Sequence, residues 1–180
     1  MARAAIPFHE LLVKTHQLWD EQWLLLTAGD FQEGRFNAMT VGWGSLGTMW
    51  GRPFAQVVVR PTRHTYGLME RYGTFTLCAF SEEYRPALKL LGTRSGRDGD
   101  KIAASGLTPV RSTLVAAPSF AEADLILECR KVYSDDIRPA RFLDPGIDTN
   151  YPLKDYHRFY FGEIVAILGQ PGYRAAGGGQ

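Results

Sequence analysis

The residues with the greatest capacity for chemistry in this chain lie in two short polar stretches. One is Gly92-Thr93-Arg94-Ser95-Gly96-Arg97-Asp98-Gly99-Asp100-Lys101; the other is Val59-Arg60-Pro61-Thr62-Arg63-His64-Thr65, at the end of an apolar run. Glycines free backbone N–H groups, serine and threonine add hydroxyls, and arginine and lysine add charge, the donor set that a phosphate takes. Arginine contributes a planar fork and lysine a point charge. Arg63, Thr65, Ser95, Gly96 and Lys101 are therefore the candidate phosphate ligands, with Arg60 reaching the phosphate or the polar chain behind it. Each has a competing role. Arg60 and Arg63 could be solvated charges beside a helix start, Thr65 an N-cap, and Ser95 to Lys101 an ordinary capping loop. Two such clusters in one small chain favour a phosphorylated ligand gripped from two sides.

Composition narrows the partners. The 180 residues carry a formal net charge of +1, 45% hydrophobic and 22% charged content, which suits one globular domain with a full core. A nucleic-acid binder would be far more basic, so neither nucleic acid nor another polyanion is expected as a partner. The two cysteines, Cys78 and Cys129, sit in apolar runs without a CxxC pattern and are expected as reduced core thiols. His9, His16 and His64 have no metal-ligand spacing with each other or with the cysteines, so no metal site is expected. Ser45, Ser95, Ser105 and Ser112 lack a GxSxG elbow, against a serine hydrolase. Trp23-Leu24-Leu25-Leu26 is too short to cross a membrane, and Met1 to Ile6 shows no targeting pattern. A cytoplasmic protein is the expectation.

The elements that would position the two clusters are mostly strands. Gln22–Ala28 leads through a turn at Gly29–Gly34 into Phe36–Trp43. Pro53–Val59, Thr74–Phe80, Asp124–Tyr133 and Tyr156–Leu168 complete a set of six. Short helices fill the gaps: from Thr62 or Thr65 to Tyr72 with Gly73 as a left-handed stop, from Pro86 to Leu91 ended by Gly92, and over Lys101–Ala104 opened by Asp98 or Asp100 and stopped by Gly106. A helical stretch is also read around Glu10-Leu11-Leu12. The absence of strict βαβ alternation, of GxGxxG and of a Walker loop disfavours the common nucleotide folds. The expected fold class is mainly β, a small six-stranded barrel with short helical insertions. One domain spans 1–180, its core over about 20–168 and its tail, 175–180, disordered.

The ordered set Asn37-Ala38-Met39-Thr40, Trp43-Gly44, Pro53, Arg60-Pro61-Thr62-Arg63-His64-Thr65, Ser95-Gly96-Arg97-Asp98 with Lys101, Gly106-Leu107-Thr108-Pro109, and His157 with Phe161-Gly162-Glu163-Ile164 resembles the flavin reductase-like family, and within it the flavoredoxin-like branch. The resemblance covers roughly 20 to 168. It implies a Greek-key split barrel, a homodimer, and an FMN site near the dimer interface, fed by NAD(P)H or by an electron-transfer partner. It makes Asn37, Ala38, Met39, Thr40 and Val41 the strand along the flavin ring edge, where fixed donors tune the reduced state. Trp43, Trp50 or His64 would pack near the ring. His157 is the candidate catalytic residue, placed at the flavin face to orient a nicotinamide or assist proton movement; its competing role is a satisfied polar residue at a strand start. Many two-component flavin reductases have Gly-Asp-His before the last strand, where this chain has Asp155-Tyr156-His157. The implied activity is that of an NAD(P)H-dependent FMN reductase, alone or serving a monooxygenase; the alternative is a flavoredoxin-like carrier that exchanges electrons with a protein partner. The polar and aromatic segment Ser134–Asp155 is left as a lid, a pocket wall or a dimer cover.

Overall fold

The computed structural model describes residues 2–176. Strand β1 is Ala4–Ala5, β2 Leu24–Asp30, β3 Arg35–Val41, β4 Gly44–Met49, β5 Arg52–Val59, β6 Thr74–Ala79, β7 Pro109–Val110, β8 Ser119–Phe120, β9 Leu125–Asp136 and β10 Arg158–Gly169; α1 is His64–Arg71, α2 Arg85–Thr93 and α3 Lys101–Ser105. One sheet runs β3-β2-β6-β9-β10-β5-β4, with β1 added to β10, and β7 pairs β8 apart from it. Every pairing is antiparallel. The protein is a mainly β split barrel with short helices.

Burial explains why β2 opens on Leu24-Leu25-Leu26 without polar alternation. Leu24, Leu26 and Ala28 enter the barrel core with Met39, Val57, Phe75, Leu77, Leu127 and Tyr160. Leu25 points the other way, into a second core with Ala38, Cys78, Leu88, Leu91, Ile102 and Phe120 beneath α2 and α3. A strand covered on both faces loses its polar alternation. Cys78 and Cys129 are free and buried. Burial pushes the Cys78 thiol up to about 12 and Cys129 in the same direction, so both are chemically quiet.

Where six strands were expected the described residues form ten: the two-residue strands β1, β7 and β8 are too short to leave a pattern, and the fourth addition, β4, is a full strand without the usual signal. The segment Gly44-Ser45-Leu46-Gly47-Thr48-Met49 has two glycines and no β-branched or aromatic run, yet it pairs with β5 from Gly44↔Val57 to Met49↔Arg52. The two-residue turn closing that hairpin is Trp50-Gly51, with φ of 53° and 70°. Both signs fit a I′ turn, whose usual signal at the first position is Asn or Asp. The other hairpin is legible: Asp30 Oδ1 accepts from the N–H groups of Gln32 and Glu33 at 2.7 and 3.1 Å, and Gly34 takes φ 63°.

Helix ends differ in detail from expectation. The N-cap of α1 is Arg63, in place of Thr62 or Thr65, and Tyr72 ends that helix in extended conformation. Gly73 is not among the glycines with positive φ. Pro86 does occupy the first turn of α2, but the helix runs through Gly92 to Thr93. Gly92 is there for closeness: a Cβ on it would stand 3.1 Å from Thr40 Cβ, and Thr40 Oγ1 donates to Leu88 O at 2.5 Å. Asp100 caps α3 by accepting from Ala103 N, and Gly106 closes it at φ 75°. The N-terminal helix is only a 3-10 turn at Phe8–Glu10, followed by a π-helical turn at Gln17–Gln22. Ala175 N donates to Glu10 O at 2.8 Å, so the tail is tied at its first residue; 177–180 lie outside the described residues. Strand β9 extends to Asp136, which leaves 137–157 as the long loop, with 3-10 turns at Pro139–Arg141 and Pro145–Asn150. Among the described residues no helix is long and apolar enough to cross a membrane.

The register of β10 on β9 shifts between Phe161 and Gly162, and a Cβ on Gly162 would stand 2.5 Å from the Phe75 ring. Gly162→Ala must displace that core ring, so it should destabilise the fold by about 1–3 kcal/mol. Thermal unfolding checks this: an unchanged Tm would show that Phe75 moves freely.

Candidate functional site

The start of α1 and the end of α2 meet beside β3. Two bonds bind their loops together: Arg63 Nη1 donates to Gly92 O at 3.0 Å, and Arg97 Nη1 to Thr62 O at 3.1 Å. Between the loops is a hollow of about 170 Å³ whose wall includes Asn37, Met39, Arg63, Thr65, Ser95, Gly96 and Lys101. The two polar clusters of the sequence therefore meet in one place. Asn37 Nδ2 donates to Thr65 Oγ1 at 2.7 Å in the buried floor. Gly96 lies against that floor so closely that a Cβ would fall 2.6 Å from Asn37 Oδ1 and 2.8 Å from His64 Cδ2. Any side chain at 96 would push the loop out of the hollow.

Lys101 does two things at once. Its Nζ donates to Leu91 O at 2.8 Å and Arg94 O at 3.0 Å, satisfying carbonyls at the end of α2. That leaves one ammonium N–H. The residue is buried, and burial followed by the Arg63 charge lowers its pKa to about 8. The capping role and the hollow-lining role coexist.

A second hollow, of about 180 Å³, continues from the first and shares Met39 and Arg63 with it. Thr40, Val41, Gly42, Trp43, Val58, Arg60 and His157 complete its wall. Because β3 ends the sheet order, alternate backbone N–H and C=O groups along it face outward without a neighbouring strand. Trp43 is half-exposed, its ring centred 5.2 Å from that of His157.

His157 is buried, with Nδ1 2.9 Å from the Tyr151 hydroxyl. Burial first, and then the Arg60 charge, lowers its pKa to about 4, so it is neutral at physiological pH. It offers a hydrogen bond to the cleft and no imidazolium charge. Arg60 is itself spoken for: Nη1 donates to Asp155 Oδ1 and Nη2 to Asn150 O, both at 2.8 Å, and its guanidinium lies 5.0 Å from the centre of the Tyr151 ring. The loop 137–157 is thereby fastened behind the second hollow as a wall.

Not every expected residue faces the cleft. Ala38 is fully buried in the second core and lines neither hollow, so only its backbone is in reach. The Thr40 hydroxyl is committed to Leu88 O. Trp50 sits elsewhere, 6.2 Å from Tyr133 and 6.0 Å from Phe161; of the three aromatic candidates, Trp43 and His64 line the cleft or its rim. The supporting roles of Tyr151 and Asp155 were not legible: Asp155 stood out only as part of Asp155-Tyr156-His157, and Tyr151 only within the polar and aromatic segment Ser134–Asp155.

Residues 21–174 match the family described as flavin reductase like domain. The chain belongs to that family. No curated protein matches it. The fold is similar to that of an FMN-binding domain of a flavin reductases-like enzyme from Shewanella baltica, with 18% identity over 93% of this chain and 76% of that one and a TM-score of 0.67. Flavoredoxin of Desulfovibrio vulgaris gives 22%, 89%, 75% and 0.65. Nitrilotriacetate monooxygenase component B from Bacillus cereus gives 16%, 87%, 75% and 0.65. This flavin reductase-like domain thus shares its architecture with a flavoredoxin and with a monooxygenase component.

A histidine held at about 4 against an ordinary 6.5 favours the folded state only while it stays neutral. As pH falls from 6.5 toward 4 the unfolded chain takes up the proton first, so stability present above 6.5 is lost across that window. His157→Gln should flatten this part of the pH dependence of Tm by roughly 5 °C at pH 4 relative to pH 7. Parallel curves for the two proteins would contradict the assigned environment.

Proposed function

We propose that this chain is a homodimeric FMN-binding oxidoreductase of the cytoplasm, acting as an NAD(P)H-dependent flavin reductase. The observation that carries the reading is that Arg63 and Lys101, which lie 38 positions apart in sequence, line one hollow that opens onto the free edge of β3. The fit is chemical as well as geometric. Arg63, Thr65, Ser95, Gly96 and Lys101 offer a fork, hydroxyls, close-packed backbone and an ammonium to the phosphate. Arg60 stands where a polar ribityl chain would run, and the outward backbone groups of 37–41 face the heteroatom edge of the ring. Bound FMN supplies hydride and electron exchange; the chain supplies binding, orientation and electrostatics.

Within that division, Met39 and Val58 give the ring an apolar seat, and Trp43 shields one side from water. Neutral His157, steadied by Tyr151, presents its other ring nitrogen to the cleft as a hydrogen-bonding group for a nicotinamide or the reduced ring. The homodimer is supported by the outer face of β4, β5, β9 and β10. There Met49, Trp50, Val132 and Tyr133 are exposed beside Phe54 and Phe161, an apolar patch of the kind that a second protein surface covers.

A second reading is a flavoredoxin-like carrier with no nicotinamide site, working with an electron-transfer protein or a monooxygenase. It is favoured by Asp155-Tyr156-His157, whose aspartate is locked to Arg60 and to Thr62 Oγ1 at 3.3 Å. Steady NADH or NADPH oxidation upon addition of FMN supports the reductase. No turnover with either donor, together with yellow colour retained through purification, supports the carrier and removes the first reading.

The phosphate assignment has its own measurements. Arg63→Ala combined with Lys101→Ala should weaken FMN binding by about 100-fold and riboflavin binding by less than about threefold; equal losses would sink it. The protonated form of Lys101 is the one that attracts phosphate. Its pKa near 8 means that FMN affinity should fall as pH rises past about 8, whereas riboflavin affinity stays level. Fluorescence titrations from pH 7 to 10 decide this.

A further inference from the structure

Arg85 is the first residue of α2 and lines neither hollow of the flavin cleft, yet it is tied to the rim of the cleft from outside. Its Nη1 donates to the carbonyls of Glu21 and, at 3.1 Å, Gln22, the last two residues of the π-helical turn. Its guanidinium lies 3.6 Å from the centre of the Trp23 ring. A lysine would serve to cap carbonyls; a planar cation stacked on an indole holds the ring as well. The backbone of Trp23 is itself unusual. Its φ of 62° and ψ of 158° belong to a region that residues other than glycine rarely adopt, and that persists only where the surroundings enforce it. Trp23 Nε1 donates to Asp20 O at 3.0 Å, so the indole is held both at its polar edge and on its face.

That restraint acts on the connection between β3 and β4. A Cβ on Gly42 would stand 3.4 Å from Trp23 Cδ1, and Gly42 and Trp43 form part of the wall of the second hollow. The same helix meets the cleft twice more: Leu88 O accepts from Thr40 Oγ1, and Gly92 O from Arg63 Nη1. Helix α2 thus reaches the ring end of the cleft through Arg85, its middle through Leu88 and its phosphate end through Gly92. We propose that Arg85 is a positioning residue for the flavin ring: by clamping Trp23 it holds the Gly42-Trp43 wall at the width the ring requires. The inference rests on the flavin reading for the occupant, whereas the clamp is a property of the free chain.

Arg85→Met keeps the stem of the side chain and removes both the carbonyl bonds and the stacked charge. Arg85→Lys keeps a cation and loses the flat stack, and it serves alone if the first variant does not fold. Hydrogen exchange on the full chain reads the clamp without any flavin. The amides of 42–44 should exchange about tenfold faster in Arg85→Met, measured relative to those of β6 and β9, which report global opening. FMN and riboflavin should both bind about tenfold more weakly in Arg85→Met and about threefold more weakly in Arg85→Lys, their ratio unchanged because the phosphate cradle is untouched. A loss of stability alone would leave the affinity of the folded fraction as it was. Unchanged affinity for both flavins, or exchange at 42–44 no faster than in β6 and β9, overturns the proposal. A loss confined to FMN places the effect at the Gly92 end of α2 and overturns the ring assignment. A native chain that binds neither flavin, with exchange at 42–44 still accelerated in Arg85→Met, rejects the flavin reading and keeps the clamp.

Discussion

The cleft exists because β3 and β4 do not pair. Only Gly42 and Trp43 separate them, a connection short enough for a hairpin, yet they are the two ends of the sheet order. Trp19 stands in the way: its backbone oxygen would lie 3.2 Å from a Cβ on Gly42, and its ring 2.4 Å from one on Gly44. Glycine at both positions lets the chain pass around the indole. The barrel is held open at that seam, and the outer edge of β3 is left as a row of unpaired backbone donors and acceptors. An exposed edge of this kind is an aggregation hazard unless it is covered. Here the α1 and α2 loops flank it, tied to each other by Arg63 and Arg97, so access is limited to a ligand that fits between them.

The charges are distributed unevenly along that edge. At one end Arg63 and Lys101 are close enough for the arginine to lower the lysine pKa, and among the described residues no carboxylate bonds to either. At the other end Arg60 is neutralised by Asp155 across 2.8 Å, with side chains one quarter exposed or less. His157 beside it carries no charge. A long ligand that is anionic at one tip and neutral at the other therefore has one favourable orientation. The loop 137–157 produces this polarity by contributing Asp155, and its last residue, His157, lines the hollow itself.

What the sequence revealed follows from how local each signal was. Strands buried on one or both faces, the Asp30 turn, the Asp100 cap and Gly106 all depend on neighbours in the chain, and they were readable. Strand β4 was not, because its pairing is forced by a turn with tryptophan at a position that ordinarily favours asparagine. The stop at Gly73 failed because Tyr72 leaves α1 in extended conformation, so glycine's freedom was never needed. At the site, donor types and order exposed the phosphate cradle. The state of His157 was hidden, since Trp43, Arg60 and Tyr151 reach it from three separate segments. Ala38 was placed with its neighbours by adjacency in the motif, although alternation along a strand sends it to the other face.

Lys101 shows how the cradle is prepared before any ligand arrives. Two carbonyls fix its ammonium, so little side-chain freedom remains to be lost on binding. The cost appears as desolvation, visible in the lowered pKa, and as repulsion from Arg63. A phosphate entering between them removes the repulsion and gives the remaining N–H an anionic acceptor. Binding therefore relieves a destabilising feature of the free protein as well as adding contacts. The free protein should gain stability as pH rises from about 8 toward the lysine's ordinary value, where the unfolded chain still holds the proton that Lys101 has released. Phosphate bound in the cradle would raise the lysine pKa again and erase that gain, which ties the stability of this corner of the fold to the ligand it is shaped to hold.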